Sequence, residues 1–436
     1  MYDLGIINGN LYIDGKYEKL NLYITNEKIA KISNETYECK ESYDAENKKV
    51  FPGFIDPHVH FELNVGKYTS CDDFYTGSVS AAYGGITTII DFLDPIATGI
   101  EVEKALNTRK KLAEKSVIDY SFHVTIRNPI DEIDNIVDEM RRLQIPTVKL
   151  FTTYSESDRR TYDKEITKLL GLTKENNILV LAHIENDDLI DRNPAFEVKD
   201  LPKSRCSESE LKEALKLASF TKDFNGRLYM VHLSSGNTLK ALVEYYPDIL
   251  NKDFFIESCP HYFNFSSDEY SEENGFLYVM APPLRTEEER ELLRANFDYI
   301  NTIGTDHCPF SSEEKNKDKL SNVPMGIGSV EHSFNIMYSI YKDKVIDKMT
   351  IGPAKIHGLY PKKGILAVGS DADIVIYDPL STYIIGEDNS TCDYNIYAGK
   401  EITGRIESTI SRGKFIIKNN EFIGGKGKYL TRKILY

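Results

Sequence analysis

The chain has 436 residues, 41% hydrophobic and 28% charged, enough apolar material for two to three domains or for one large barrel with an accessory unit. A formal charge of −15 argues against a nucleic-acid partner, which favours a basic face. Six cysteines without a C-x-x-C pair exclude a disulfide framework and a zinc ribbon and fit a reducing compartment.

The first residues lack an apolar signal-peptide core, and no stretch of 18 apolar residues occurs. The expectation is a cytoplasmic protein with no membrane partner. Residues 1–50 form short strand-like runs ("LGIING", "LYID", "LNLYIT", "KIAKIS"), with hairpin signals at Asn8-Gly9 and Asp14-Gly15. The C-terminal segment 361–436 has the same character ("ADIVIYDP", "YIIG", "GRIESTISRGKFIIKNNEFIG"). A single short sheet has little core of its own, so the two ends are expected to build one small β-sandwich.

Between them, residues 51–360 alternate strand-like and helical stretches. Eight apolar runs stand out: "VFPGFID" (50–56), "ITTIIDF" (86–92), "VIDYSFHVTI" (117–126), "TVKLF" (147–151), "ILVLAHI" (178–184), "LYMVHL" (228–233), "FFIES" (254–258) and "INTIGTD" (300–306). Amphipathic stretches at 101–116 and 208–224 lie between some of them. The pattern predicts an α/β fold, a (β/α)8 TIM-like barrel.

In such a barrel the active site lies at the C-terminal ends of the strands. The unusual polar residues fall there: His58 and His60 in "DPHVH", Lys149 in "TVKLF", His183 in "LAHIEN", His232 in "MVHLSS" and Asp306 in "GTDHCPF". At period two, His58 and His60 face the same side and can reach one ion. Imidazole and carboxylate suit zinc and related divalent metals. Six groups exceed one tetrahedral site but serve two metals roughly 3.5–4 Å apart if one ligand bridges. An ammonium cannot bind a cation, whereas a neutral lysine can react with CO2 to give an anionic carbamate. Lys149 is therefore either a carbamate bridge or a lysine that snorkels or pairs with an acid.

The motifs "PGFIDPHVHFEL", "VKLFTTY", "ESCPHYF", "APPLRTEEER", "GTDHCPF" and "GPAKIHGLYPKKGILAVGSDADIVIYDP" resemble, in kind and order, the hydantoinase/dihydropyrimidinase branch of the amidohydrolase superfamily. The resemblance implies a zinc-dependent cyclic amidohydrolase that opens dihydropyrimidines or 5-substituted hydantoins to N-carbamoyl amino acids, as a homotetramer or homodimer. It implies that His58 and His60 bind one Zn2+, that His183 and His232 bind a second, and that carboxylated Lys149 bridges both. Asp306 would bind metal and shuttle the proton, and Tyr154 would hydrogen-bond the developing oxyanion. Ala281 and Met325 would contact the substrate where the branch usually has Ser and Asn.

Related activities are weighed on the same motifs. Dihydroorotase is disfavoured because Glu62 occupies the position of its substrate-binding arginine. An allantoinase-like ureide hydrolase would share the metal site. A non-catalytic scaffold of the collapsin response mediator type would lack ligands that are present here. The stretches 61–68 and 155–164 are candidate loops over the exocyclic group of the ring, and His261 and His307 are candidate supporting residues behind the metals.

Overall fold

Asp14 and Gly15 both adopt positive φ and turn the chain between two antiparallel strands, β1 (Tyr2–Ile13) and β2 (Lys16–Thr25). Asn8-Gly9 does not make a hairpin. Asn8 is left-handed, with φ 55°, and produces a bulge inside β1 between Ile6 and Gly9. The computed structural model describes residues 1–435.

The terminal sheet continues through β3 (Lys28–Ser33), β4 (Cys39–Asp44) and β5 (Lys49–Pro52). The barrel strands follow: β6 (Phe54–Asp56), β7 (Ile86–Phe92), β8 (Asp119–Thr125), β9 (Thr147–Phe151), β10 (Leu179–His183), β11 (Leu228–Met230), β12 (Phe254–Ser258) and β13 (Thr302–Ile303). The chain then returns to the terminal sheet as β14 (Ile374–Ile384), β15 (Glu401–Ser411), β16 (Lys414–Lys418) and β17 (Glu421–Phe422). The nine-stranded sheet has the order β17-β16-β15-β14-β5-β1-β2-β3, with β4 beside β1. Strands from both ends of the chain thus share one core, in which Leu11, Leu22, Val50, Ile374 and Ile410 are fully buried.

"VFPGFID" splits between the two sheets. Val50, Phe51 and Pro52 pair with β14, whereas Phe54, Ile55 and Asp56 pair with β7. Gly53 marks the crossing, because a Cβ there would lie 2.2 Å from the Thr87 hydroxyl.

Strands β6 to β13 pair in parallel and in chain order. Backbone bonds just past β13 and β6 close the ring: Asp306 N donates to His58 O at 2.9 Å, and His60 N to His307 O at 2.9 Å. Helices such as Val102–Ala113 and Ser207–Asp223 connect successive strands. Leu179, Leu181, Tyr229, Val231 and Phe255 form a buried cluster with Phe92 and Ile434. Residues 428–432 run along β8: Tyr120 N donates to Lys428 O at 3.0 Å and Leu430 N to Tyr120 O at 2.8 Å. Arg432 donates to Ser121 Oγ at 2.8 Å, to Phe122 O at 2.5 Å and to Thr147 Oγ1 at 2.7 Å.

Candidate metal centre

Val59 forms a single parallel bridge to His307 beyond β6. The backbone therefore stays extended through the H-x-H motif, and the two imidazoles project to one side. Their Nε2 atoms are 3.2 Å apart. Asp306, at φ 50° just after β13, brings Oδ1 to 3.1 Å from His58 Nε2 and 3.0 Å from His60 Nε2. The donor atoms of these three residues lie within 4.8 Å of one another, so the group could hold a metal ion.

Across the barrel mouth, His183 ends β10, and His232 follows β11 with φ 40°. His183 Nδ1 and His232 Nε2 are 3.0 Å apart, while His232 and His58 have ring centroids 5.5 Å apart. Lys149, 2% exposed, has its Nζ 5.3 Å from the ring centroids of both Phe92 and Phe151. Among the described residues no carboxylate lies within the 4.0 Å of an ion pair with it. The alternative of a lysine paired with an acid is thus not what the barrel holds.

Burial pushes the Lys149 ammonium down to about 8, against the pull of Asp306 and Glu257. Burial also depresses His60, His183 and, further still, His232, keeping them neutral as metal ligands must be. His58 behaves differently. Burial opposes its charge, but Glu257 and Asp306 outweigh that and raise it to about 9. Burial likewise opposes ionisation of Asp306, yet His58 and His60 hold its carboxyl well below the usual range. The carboxylates therefore favour positive charge at His58 and keep Asp306 an anion, as a cation site should.

Two carboxylates behind the histidines escaped the sequence reading. Glu257 Oε1 lies 2.7 Å from His58 Nδ1 and accepts from His232 N at 3.0 Å. Glu185 Oε2 lies 2.6 Å from His183 Nε2 and is ion-paired to Arg205. Each fixes one ring nitrogen and leaves the other facing the site. A charge in the buried run "FFIES" was the same kind of anomaly as Lys149, and Glu185 stands two residues from His183, on the same side of an extended segment. Arg205, in a connection remote from both, gives no comparable signal.

The expected supporting roles of His261 and His307 separate. His307 lies 2.9 Å from Asp72 and accepts from Ser329 N, organising loops beside the mouth. His261 is buried against Tyr262, and among the described residues its two ring nitrogens have no hydrogen-bond partner.

All six predicted ligands line a cavity of about 160 Å³, together with Tyr154, Ala281 and Met325. Tyr154 is left-handed, with φ 69°. Its ring is 5.2 Å from that of His183 and 4.9 Å from the Arg205 guanidinium. Burial raises its phenol to about 12, so it remains a hydrogen-bond donor at neutral pH. From the stretch 61–68, Leu63, Asn64 and Val65 line the cavity; from 155–164, Arg159 does. Glu62 does not line it and is paired with Lys115 at 3.1 Å. Glu62 is therefore not placed to touch a substrate, and the expectation drawn from it against dihydroorotase has no geometric basis.

Residues 50–416 match the amidohydrolase family. The chain belongs to that family. This amidohydrolase is 33% identical to the D-phenylhydantoinase of Escherichia coli (strain K12) over 424 residues, 90% of each chain. Its structure is similar to a D-hydantoinase (dihydropyrimidinase) from Thermus sp., with a TM-score of 0.93, 31% identity and coverage of 99% of this chain and 100% of that one. The dihydropyrimidinase of Brevibacillus agri NCHU1002 is likewise similar, with a TM-score of 0.93 and 28% identity over 100% of both chains.

Proposed function

We propose that this amidohydrolase hydrolyses the amide bond of a six- or five-membered cyclic ureide, a dihydropyrimidine or a 5-substituted hydantoin, giving an N-carbamoyl amino acid. The observation that carries this reading is the convergence of two ligand pairs and an unpaired buried lysine on one cavity. His58 and His60 face His183 and His232, with Lys149 and Asp306 among the lining residues. The D-phenylhydantoinase relative supports the substrate class.

The nitrogen and oxygen donors fit two divalent ions, best Zn2+. His58 and His60 would hold one and His183 and His232 the other. Lys149 would bridge them as its CO2-derived carbamate, and Asp306 would complete the first site. Such a metal pair supplies Lewis acidity and lowers the pKa of a water to near neutrality.

The chain does the rest. Asp306 takes the proton of the attacking water and returns it to the ring nitrogen as the C–N bond breaks. The Tyr154 hydroxyl donates to the carbonyl oxygen as it gains charge, a contact stronger in the transition state than in the ground state. Ala281 and Met325 shape the ring site, and Met325 offers only backbone polarity. Burial of the lysine favours its neutral, CO2-reactive form. Among the described residues no helix is long and apolar enough to cross a membrane; the proposal includes a cytoplasmic enzyme assembled as a homotetramer or homodimer.

The test is a substrate panel on the metal-reconstituted protein: dihydrouracil, hydantoin, phenylhydantoin, allantoin and dihydroorotate. Turnover of dihydrouracil or a hydantoin is the expected result. Preference for allantoin would assign the ureide-hydrolase alternative. No hydrolysis and no bound metal would assign the scaffold alternative.

A further inference from the structure

Residues 155–160 form a highly charged loop beside Tyr154, and its ion pairs are distributed unevenly. Glu156 pairs with Arg192 at 2.8 Å. Asp158 pairs with Arg127 at 3.8 Å and accepts from Asn128 at 2.6 Å. Arg160 reaches Asp187 at 3.5 Å and Asp188 at 3.4 Å. The guanidinium of Arg159 alone has no hydrogen-bonded or ion-paired partner among the described residues, and it lines the cavity that holds the metal centre.

The backbone holds Arg159 there. Tyr154 at φ 69° and Asp158 at φ 55° bracket a single helical turn over Ser155–Ser157. Arg159 N closes the turn by donating to Tyr154 O at 3.2 Å. The backbone of Arg159 is thus anchored beside the residue that would contact the reacting carbonyl, and its side chain lines the same cavity. The other arginine at this place, Arg205, is neutralised by Glu185. Arg159 is half-buried, and a partly desolvated guanidinium gains most from a planar oxyanion that can accept two hydrogen bonds. Asp94 also lines the cavity, but it is exposed and screened by water. Leu63, Asn64, Val65 and Met325 add no charge to the wall, and the other acid of the cavity, Asp306, is held by His58 and His60.

Resting on the ring-opening reading above, we infer that Arg159 selects substrates whose exocyclic substituent ends in a carboxylate, an acid-bearing cyclic ureide rather than an aryl or alkyl one. Arg159 is a specificity residue. It binds the substituent and takes no part in proton transfer or attack.

The experiment compares kcat/KM for hydantoin-5-propionate with that for its neutral isostere hydantoin-5-propionamide, with 5-(3-aminopropyl)hydantoin and unsubstituted hydantoin alongside. The metal-reconstituted wild type is set against Arg159→Gln and Arg159→Lys. The propionate is expected to be favoured over the propionamide by about ten- to a hundredfold, the range of a charge-assisted hydrogen bond. That ratio should fall to near one in Arg159→Gln and be partly retained in Arg159→Lys, with the difference mainly in KM. A wild-type ratio of one or less, an unchanged ratio in Arg159→Gln, or preference for the aminopropyl compound would overturn the inference while leaving ring opening intact. Failure to open even unsubstituted hydantoin and dihydrouracil would overturn both.

Discussion

Glu185 holds the outer nitrogen of His183 at 2.6 Å while Arg205 closes on the same carboxylate oxygen. The pair turns His183 Nδ1 toward His232 Nε2, 3.0 Å away. Burial opposes the charge on Glu185, but Arg205 and His183 outweigh it and lower its carboxyl to about 2. It therefore remains an acceptor at every working pH. Replacing the orienting acid by Glu185→Gln should weaken metal binding at that site by about 10–100-fold. Competition with a graded chelator measures this, and unchanged affinity would show that Glu185 does not orient the ligand.

Lys149 sets a pH dependence for assembly of the centre. Only the neutral amine attacks CO2, forming the N–C bond and releasing a proton. With its pKa lowered to about 8, about a tenth of the lysine is neutral at pH 7 and about nine-tenths at pH 9. Activation of apoenzyme by zinc and bicarbonate should therefore accelerate as pH rises through about 8, whereas an ordinary lysine would place the rise near 10.5. Lys149→Ala should bind little metal at any pH. Full metal occupancy in that variant would refute the bridging role.

Tyr154 should act on the rate more than on binding. Tyr154→Phe keeps the ring packed against His183 and Arg205 but removes the donor. A loss of about 10²–10³ in kcat is expected, with a smaller change in KM, as for other oxyanion donors. Steady-state kinetics on hydantoin decide it, and an equal kcat would assign oxyanion stabilisation elsewhere.

Away from the site, Lys363 joins the terminal sheet to the barrel floor. Its Nζ lies 2.6 Å from Asp119 and from Asp373 and 3.1 Å from Asp371, and all four side chains are buried. Burial opposes charge on Lys363, but the three aspartates outweigh it and raise its pKa. Lys363→Met would strand buried carboxylates and cost about 3–5 kcal/mol. Urea denaturation measures the loss, while the active-site kinetics of the folded fraction should stay as in the wild type.

The barrel strands and the polar residues gathered at the barrel mouth were legible because those residues depart from an otherwise apolar pattern. β7, β9 and β12 coincide with the apolar runs at 86–92, 147–151 and 254–258, where the runs are bounded by turns and charged helices. The ends of other runs were not legible. β11 stops at Met230 and β13 at Ile303, short of His232 and Asp306. Both residues take positive φ, a backbone state that side-chain patterning does not encode. The division of "VFPGFID" between two sheets depends on Thr87 and Asp373 crowding Gly53, a contact between distant segments. The partners of Glu185 and the isolation of Arg159 are likewise tertiary facts, since every neighbour of Arg159 in that loop looks as charged and as free in the sequence.

The segment 428–432 lies along β8, and Arg432 ties β8 to β9, the strand that carries Lys149. The barrel strands stand far from these bracing residues in the chain, and β5 pairs with the distant β14 in the same way. The catalytic half of the barrel is thus braced by contacts between segments far apart in the chain, the kind that close slowly in folding, so a cut in the C-terminal segment should loosen β8 and β9 rather than the terminal sheet alone.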